Sequence, residues 1–435
     1  MTPFELAPDQ RDLMAWVRNV AASQLAPIAE RRGAADPGRV NRELIKELGS
    51  LGLLARLFPG VASPVVAGGG APTATPGVGG AGVADGGLVG AAAGRTAAGG
   101  TASGGVSREA AALELCLLRE ALAQVSTEAE TALALQGLGT YPVLQSGSAD
   151  QVARWVPAVA AGDAVAAFAL TEPEAGSDAA ALALAAEPDG SGWRLTGEKV
   201  WISNAPDADF YSVFARTTPD AASRGVSAFV VPGDRPGLSG EPLDLVSAHP
   251  IGRLVFDGVR VEADELLGEP DRGFAVAMRT LDLFRPSVGA FAVGMAQAAL
   301  DAAVAHAGTR QAFGGVLGDL QAVSHPLAEM ATRIEAARLL VYRAAAAYDA
   351  GLAGVASTSA MAKLFATETA QYVVDAAIQV HGARALQRGH LLEHLYRDVR
   401  APRIYEGASE VQRTIIAREL LHDQRGKGQA PWRRR

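Results

Sequence analysis

The chain has 435 residues, 49% of them hydrophobic and 20% charged. That balance is globular rather than disordered, and the length exceeds one compact core, so two or three packed units are expected. A formal charge of −8 and a pI near 5.5 argue against a nucleic-acid surface, and Cys116, the only cysteine, excludes an internal disulfide or a cysteine metal cluster.

The opening MTPFELAPDQRDLMAWVRN carries early acidic residues and no apolar h-region, so it does not read as a secretory signal. No uninterrupted apolar run of membrane-spanning length occurs outside the Gly/Ala-rich tract described next. With the lone cysteine this predicts a cytoplasmic location. PDQRDLMAWVRNVAASQLAPIAE (8–30) and NRELIKELGSLGLLARL (41–57) place apolar residues three and four apart and predict helices. Residues 60–105 then hold 16 Gly and 12 Ala among 46 positions, too little apolar bulk to offset the entropy of ordering. The tract is expected to be a flexible surface insertion, with a partner-docking loop as the competing reading. Helical spacing resumes over 107–139, with Ser107 as its expected cap. A first helical unit is thus predicted over 1–165.

Over 166–275 the runs WRLTGEKVWIS, FYSVFART, VSAFVVPG and RLVFDGVRV are β-branched and aromatic, with DG and PG turns. They predict a small antiparallel β domain, sandwich or barrel. Helical spacing returns over 276–425, before a tail at 426–435. Val323, Leu327, Met330, Ile334 and Val341 form one stripe, and a second helix over 357–382 is bounded by serine caps and Gly382. The fold class expected is mainly α with a central β domain, in helical–β–helical order.

Six segments exceed what a helix bundle needs: FALTEPEAGSD (168–178), GEKVWISNA (197–205), LFRPSVGAFAVGMAQAALD (283–301), RQAFGGVLGDLQ (310–321), QVHGARAL (379–386) and LYRDVRAPRIYEGASEVQRTIIARELL (395–421). In the last, Glu406 sits between Tyr405 and Gly407 just ahead of an apolar-periodic run. From the residues alone it is a solvated loop carboxylate, a helix-terminus charge or a base. Ser409 and Gln412 read as a capping box that starts the next helix without Glu406.

In register, the six segments resemble the signatures of the acyl-CoA dehydrogenase family, and the resemblance spans the chain from about residue 10 to 421, apart from the insertion. It implies FAD as cofactor and removal of two hydrogens from an acyl-CoA thioester, giving the trans-2-enoyl thioester. Glu406 matches the base that takes the α proton, while the β hydrogen leaves as hydride to flavin N5; family members stabilise the enolate through the cofactor's ribityl hydroxyl and the glutamate's own N–H. Some branches carry the base on another helix, where this chain has Phe284, which accepts no proton.

Further roles come over from the same resemblance. Phe168, Leu170, Thr171, Trp201, Ile202 and Ser203 match cofactor contacts, with Trp201 packed on the ring and Ser203 near N5. Ala408 and Glu410 match further cofactor contacts, and Ser177, Asp282, Arg285 and Gly407 match substrate contacts. Without the family, Asp282 and Arg285 read as an i,i+3 surface ion pair, Trp201 as an ordinary core residue and GSD as a turn. Arg310, Phe313, Gln321, Gln379, Val380, His381, Gly382 and Ala383 match residues that reach the FAD of a neighbouring subunit, although Ala383 replaces the more usual second glycine. A homotetramer or dimer is therefore implied, with electron-transfer flavoprotein as electron acceptor. Competing readings are a dehydrogenase of carrier-protein-bound acyl groups, an oxidase using O₂, and a flavin-binding scaffold without catalysis. The seven histidines show no metal-ligand spacing, and no metal is predicted.

Overall fold

The computed structural model describes residues 5–35, 38–60 and 111–426. The Gly/Ala-rich tract beyond Gly60, Ser107 and the tail beyond Gly426 lie outside the described residues. Three helices come first: α1 (Pro8–Val20), α2 (Ala26–Ala35) and α3 (Arg42–Ser50). The helix expected over 8–30 is interrupted by a π turn at Ala21–Leu25. Pro27 lacks the N–H that would bond the carbonyl four residues back, which disrupts the ladder at this point. Asn41 caps α3 by accepting the Leu44 N–H at 3.0 Å.

After the insertion come α4 (Ala112–Ala123), α5 (Thr127–Ser146) and α6 (Ala149–Ala160). Ala111 occupies the N-cap position of α4 and has no capping side chain. Instead the Asp349 carboxylate, from across the bundle, accepts the N–H groups of Ala112 and Leu113 at 2.6 and 3.0 Å. A long-range cap thus holds the start of α4, while the cap expected at Ser107 lies outside the described residues. Gly139 on α5 lies so close to the sheet that a Cβ there would meet the Ala167 nitrogen at 2.6 Å.

Seven strands follow: β1 (Ala166–Ala169), β2 (Ala185–Asp189), β3 (Gly192–Ser203), β4 (Phe210–Arg216), β5 (Val226–Pro232), β6 (Leu238–Pro242) and β7 (Ile251–Val261). They form one sheet, and it is not purely antiparallel as the turns suggested. β4 pairs antiparallel with β5 along one edge, whereas its other edge pairs in parallel with β1 and, at Arg216, with β2. The β2–β3 hairpin lies between β1 and β4 in sequence and supplies the crossover a parallel pair needs. β1 and β2 are short and Ala-rich, so neither carried a readable strand pattern. β3 pairs with β7 through register shifts at Leu195/Gly197 and Lys199/Ile202.

The C-terminal unit is built on α7 (Gly273–Thr309), which packs against α4, α8 (Gln321–Asp349) and α9 (Val355–His381). By length and composition α7 is apolar enough to cross a membrane, but most of that apolar surface is buried inside the protein. A small hairpin, β8 (Gln311–Ala312) and β9 (Gly315–Val316), leads into α8. Met330, Ile334 and Val341 are buried and Val323 and Leu327 half-buried, which bears out the α8 stripe. α9 ends at Gly382 as expected, but starts after Gly354 in the left-handed region rather than at a serine. α10 (Leu391–Asp398) and α11 (Ser409–Gly426) complete the chain.

Candidate active site

Glu406 lies in the turn between α10 and α11, with φ 51°, and Gly407 follows at φ 94°. Two residues of α9 clamp this turn. Lys363, fully buried, donates from Nζ to the carbonyls of Tyr405 and Gly407 at 3.0 and 2.7 Å. Glu368 pairs with Arg403 at 2.8 Å and accepts the Ser409 hydroxyl at 2.7 Å. Gln412 reaches back to the Gly407 carbonyl at 2.8 Å, and a Cβ at 407 would meet its Nε2 at 2.5 Å, so the turn requires glycine there. The capping box expected of Ser409 and Gln412 is therefore not formed. Ser409 is already the first helical residue, and both side chains bond elsewhere.

Glu406 as a whole is half-buried, but its Oε2 is sealed from solvent and has no hydrogen-bond partner. Burial raises its pKa, and the positive charges of Arg119, Lys363 and Arg285 oppose the rise. Among the described residues nothing accepts the Glu406 N–H. Beneath it Arg119, on α4, pairs through Nε with Glu130 of α5 and donates to Ser287 Oγ at 2.7 Å; all three side chains are buried. Burial pushes Glu130 up to about 7 against the pull of Arg119.

Asp282 and Arg285 do form the i,i+3 pair, at 2.8 Å. It is not a surface pair, because Arg285 is buried and its Nε has no partner. Phe284 is buried against Tyr141, with ring centroids 6.2 Å apart. Ser177 is exposed on the loop after β1, and Glu410 is exposed on α11, paired with Arg413 at 3.5 Å. Ala408 is half-buried where the turn enters α11.

The second wall comes from the sheet. Lys199, fully buried on β3, donates to the Leu170 carbonyl at 2.9 Å and to Glu172 at 2.8 Å. The Val200 N–H donates to the Thr171 carbonyl at 3.0 Å. These bonds lay the end of β1 (Phe168, Leu170, Thr171) beside the end of β3 (Trp201, Ile202, Ser203). Leu170 and Ile202 are core residues, and Phe168 tilts on Phe214 at 4.9 Å. At the bulge Trp201 takes φ 58° and turns outward, 54% exposed. It is therefore not an ordinary core tryptophan within the single chain. A bare indole face, the Thr171 hydroxyl and the Ser203 hydroxyl fit a flat, polar-edged ring such as isoalloxazine.

The residues matched to a neighbouring subunit's cofactor gather elsewhere. His306 on α7 stacks on His381 of α9 at 4.3 Å, which brings Arg310 at the end of α7 beside Gln379–Ala383. Arg310, Gln321, Gln379, Gly382 and Ala383 are exposed, Val380 and His381 half-buried. Phe313, at φ 54° on the hairpin, is 90% exposed. The site residues thus lie in three places: the Glu406 turn, the edge where β1 and β3 end, and the ends of α7 and α9.

Sequence reading overlooked Lys363, Glu130 and Arg119. The lone Lys363 inside STSAMAKLF, and Arg119 within the mostly apolar LELCLLREALA, were the available signals, since a charge on a buried helix face needs a partner. His249 also passed as an ordinary histidine. Among the described residues no group of three or more His, Cys, Asp or Glu side chains converges as a metal site.

Comparison with known proteins agrees with this geometry. The acyl-CoA dehydrogenase N-terminal, middle and C-terminal domain models match residues 79–163, 167–259 and 271–421. A probable acyl-CoA dehydrogenase of Mycobacterium tuberculosis is 40% identical over 309 residues, 70% of this chain and 79% of that protein. The mitochondrial short-chain specific acyl-CoA dehydrogenase of Bos taurus is 43% identical over 287 residues, 65% of this chain and 69% of that protein. The solved butyryl-CoA dehydrogenase of Megasphaera elsdenii superposes with a TM-score of 0.80 at 30% identity, covering 96% of this chain and 99% of that one. A chain matched over all three domains belongs to the acyl-CoA dehydrogenase family and is an FAD-dependent oxidoreductase.

Proposed function

We propose that this enzyme takes the α proton and β hydrogen from an acyl-CoA thioester to leave the trans-2-enoyl thioester, with Glu406 as the base. The observation that carries the reading is the bare Glu406 Oε2. A buried oxygen without a partner costs about 1–3 kcal/mol, a cost that makes sense where a substrate completes the site. A thioester α proton is weakly acidic, so a carboxylate whose proton affinity burial has raised is the better-matched acceptor. Arg119, Lys363 and Arg285 oppose that rise and so favour the ionised form a base needs. The unbonded Glu406 N–H is free to donate to the thioester carbonyl, where enolate charge develops. Lys363 and Gln412 hold the turn that aims both groups.

Bound FAD supplies the acceptor for the β hydrogen. Thr171, Trp201 and Ser203 would hold its ring, and Asp282 and Arg285 the thioester end of the substrate. Arg310 and residues 379–383 complete the FAD site of a neighbouring subunit in a dimer or tetramer, and electron-transfer flavoprotein takes the electrons. Glu406→Gln is nearly isosteric and removes only the proton acceptor. FAD and acyl-CoA binding are expected to persist, while anaerobic bleaching of the flavin by acyl-CoA slows at least ~10²-fold, the scale of general-base loss. Rapid bleaching in this variant would assign the base to another group.

A further inference from the structure

Ser203 does not stand alone on the flavin-facing edge of β3. Its Oγ lies 2.9 Å from Nε2 of His249, in the segment that leads from β6 into β7. That segment is pinned on both sides of the imidazole. Ahead of it, the Ser247 hydroxyl donates to the Asp398 carboxylate of α10, which also accepts the Thr127 hydroxyl at 2.6 Å and lies 3.1 Å from His394 Nε2. Behind it, the Pro250 carbonyl accepts the Asn204 N–H at 2.7 Å, next to Ser203 itself. Asn204 is buried at φ 65° and anchors its amide on the Ala166 carbonyl of β1 at 2.8 Å. The ring is therefore fixed against the serine by α10 through Ser247, and by Asn204, just past the end of β3, whose amide is anchored on β1.

An unrestrained serine hydroxyl rotates among staggered positions and spends much of its time solvated. A hydrogen bond with a fixed imidazole occupies one of its three bonding directions and so narrows where the other two can point. Burial holds His249 down to about 4 although Asp398 pulls the other way, so the ring is neutral at physiological pH. It acts on the serine through orientation and not through a charge. We propose that His249 is a positioning residue that fixes the Ser203 hydroxyl toward the flavin ring. The inference rests on the reading of Ser203 as a flavin contact given above.

The test uses purified holoenzyme variants Ser203→Ala, His249→Ala, His249→Gln and the Ser203→Ala/His249→Ala double. Bound FAD per chain, the visible absorption bands of the bound flavin and its midpoint potential are measured for each. Ser203→Ala and His249→Ala are expected to move the bands and the potential in the same direction. The double variant moves them no further than Ser203→Ala, because the histidine acts through the serine. His249→Gln, whose amide N–H can replace the ring contact, restores most of the wild-type values. If His249→Ala leaves both readouts at wild type while Ser203→Ala moves them, or if the two effects add, His249 only packs and the inference fails. If Ser203→Ala itself moves neither, the placement of Ser203 at the flavin fails and takes the inference with it.

Discussion

The Glu406 carboxylate ends in an oxygen sealed from solvent, whereas Arg310 is exposed. Around Glu406, a single chain supplies buried charges, a clamped turn and an orphaned carboxylate oxygen. Around Arg310, the same chain offers an exposed guanidinium, a 90% exposed Phe313 and an exposed glycine-ended helix, none of them enclosed. On the function proposed above, the difference assigns proton transfer to one subunit and leaves the outer reach of the cofactor site for a second subunit to close. Disturbing the first region should change stability and its pH dependence; disturbing the second should change cofactor retention.

The largest effect is expected at Arg119. Breaking a buried ion pair by removing one partner costs roughly 3–5 kcal/mol, because the other charge is left buried. Arg119→Met leaves Glu130 in that position. Glu130 already has its pKa raised to about 7, and losing the cation raises it further. A raised carboxyl binds a proton more tightly folded than unfolded, so stability falls as pH rises through the window above its ordinary 4.5. Denaturant midpoints should therefore show Arg119→Met most destabilised at pH 8 and closer to wild type at pH 5. A penalty independent of pH would mean that packing, not the stranded carboxylate, sets the cost.

Next in size is Arg310→Ala. An Arg–phosphate hydrogen bond contributes about 1.5–3 kcal/mol, so FAD should be released roughly tenfold or more readily. Among the described residues the exposed Arg310 side chain makes no hydrogen bond or ion pair to the sheet, and far-ultraviolet spectra should be unchanged. Sedimentation showing a monomer with full flavin occupancy would refute the shared site.

These two regions were unequally legible in the sequence. Tyr405–Glu406–Gly407 and Arg310–Phe313 were identified because short motifs survive as contiguous strings. The Lys363 clamp, the Arg119–Glu130 pair and the Ser203–His249 contact join residues 44, 11 and 46 apart, and no local pattern encodes them. The helical–β–helical order was readable from periodicity. The parallel pairing of β1 and β2 with β4 was not, since four alanine-rich residues carry no strand signature. Asp349 capping α4 shows the same limit, for the cap lies more than two hundred residues from the N–H groups it accepts.

A smaller effect sharpens the account of Glu406. Its pKa is raised chiefly by burial, so the folded state gives up stability as pH climbs above the ordinary carboxyl value. Gln cannot ionise and escapes that loss. Without acyl-CoA, Glu406→Gln should be more stable than wild type by about 1 kcal/mol at pH 8, and the gap should close as pH falls toward 4.5. A variant less stable than wild type at pH 8 would mean that the carboxylate is well compensated and not bare.

The smallest effect is expected from shortening the insertion. Its flanks are secured without it. Leu57 and Phe58 are buried just before it, and α4 starts just after it with both leading N–H groups held by Asp349. Loop-closure entropy grows only slowly with length, about 0.6 kcal/mol per doubling, so shortening the connection removes little that folding depends on. Replacing residues 61–104 with a short Gly-Ser linker should leave melting temperature, FAD content and turnover on free acyl-CoA close to wild type. Long loops often carry function, however, and docking of a carrier protein is the competing role. Assaying one acyl group both as its CoA thioester and on a carrier protein separates the two. Equal rates before and after deletion support an inert connection, whereas selective loss on the carrier-bound substrate would make the tract part of substrate delivery.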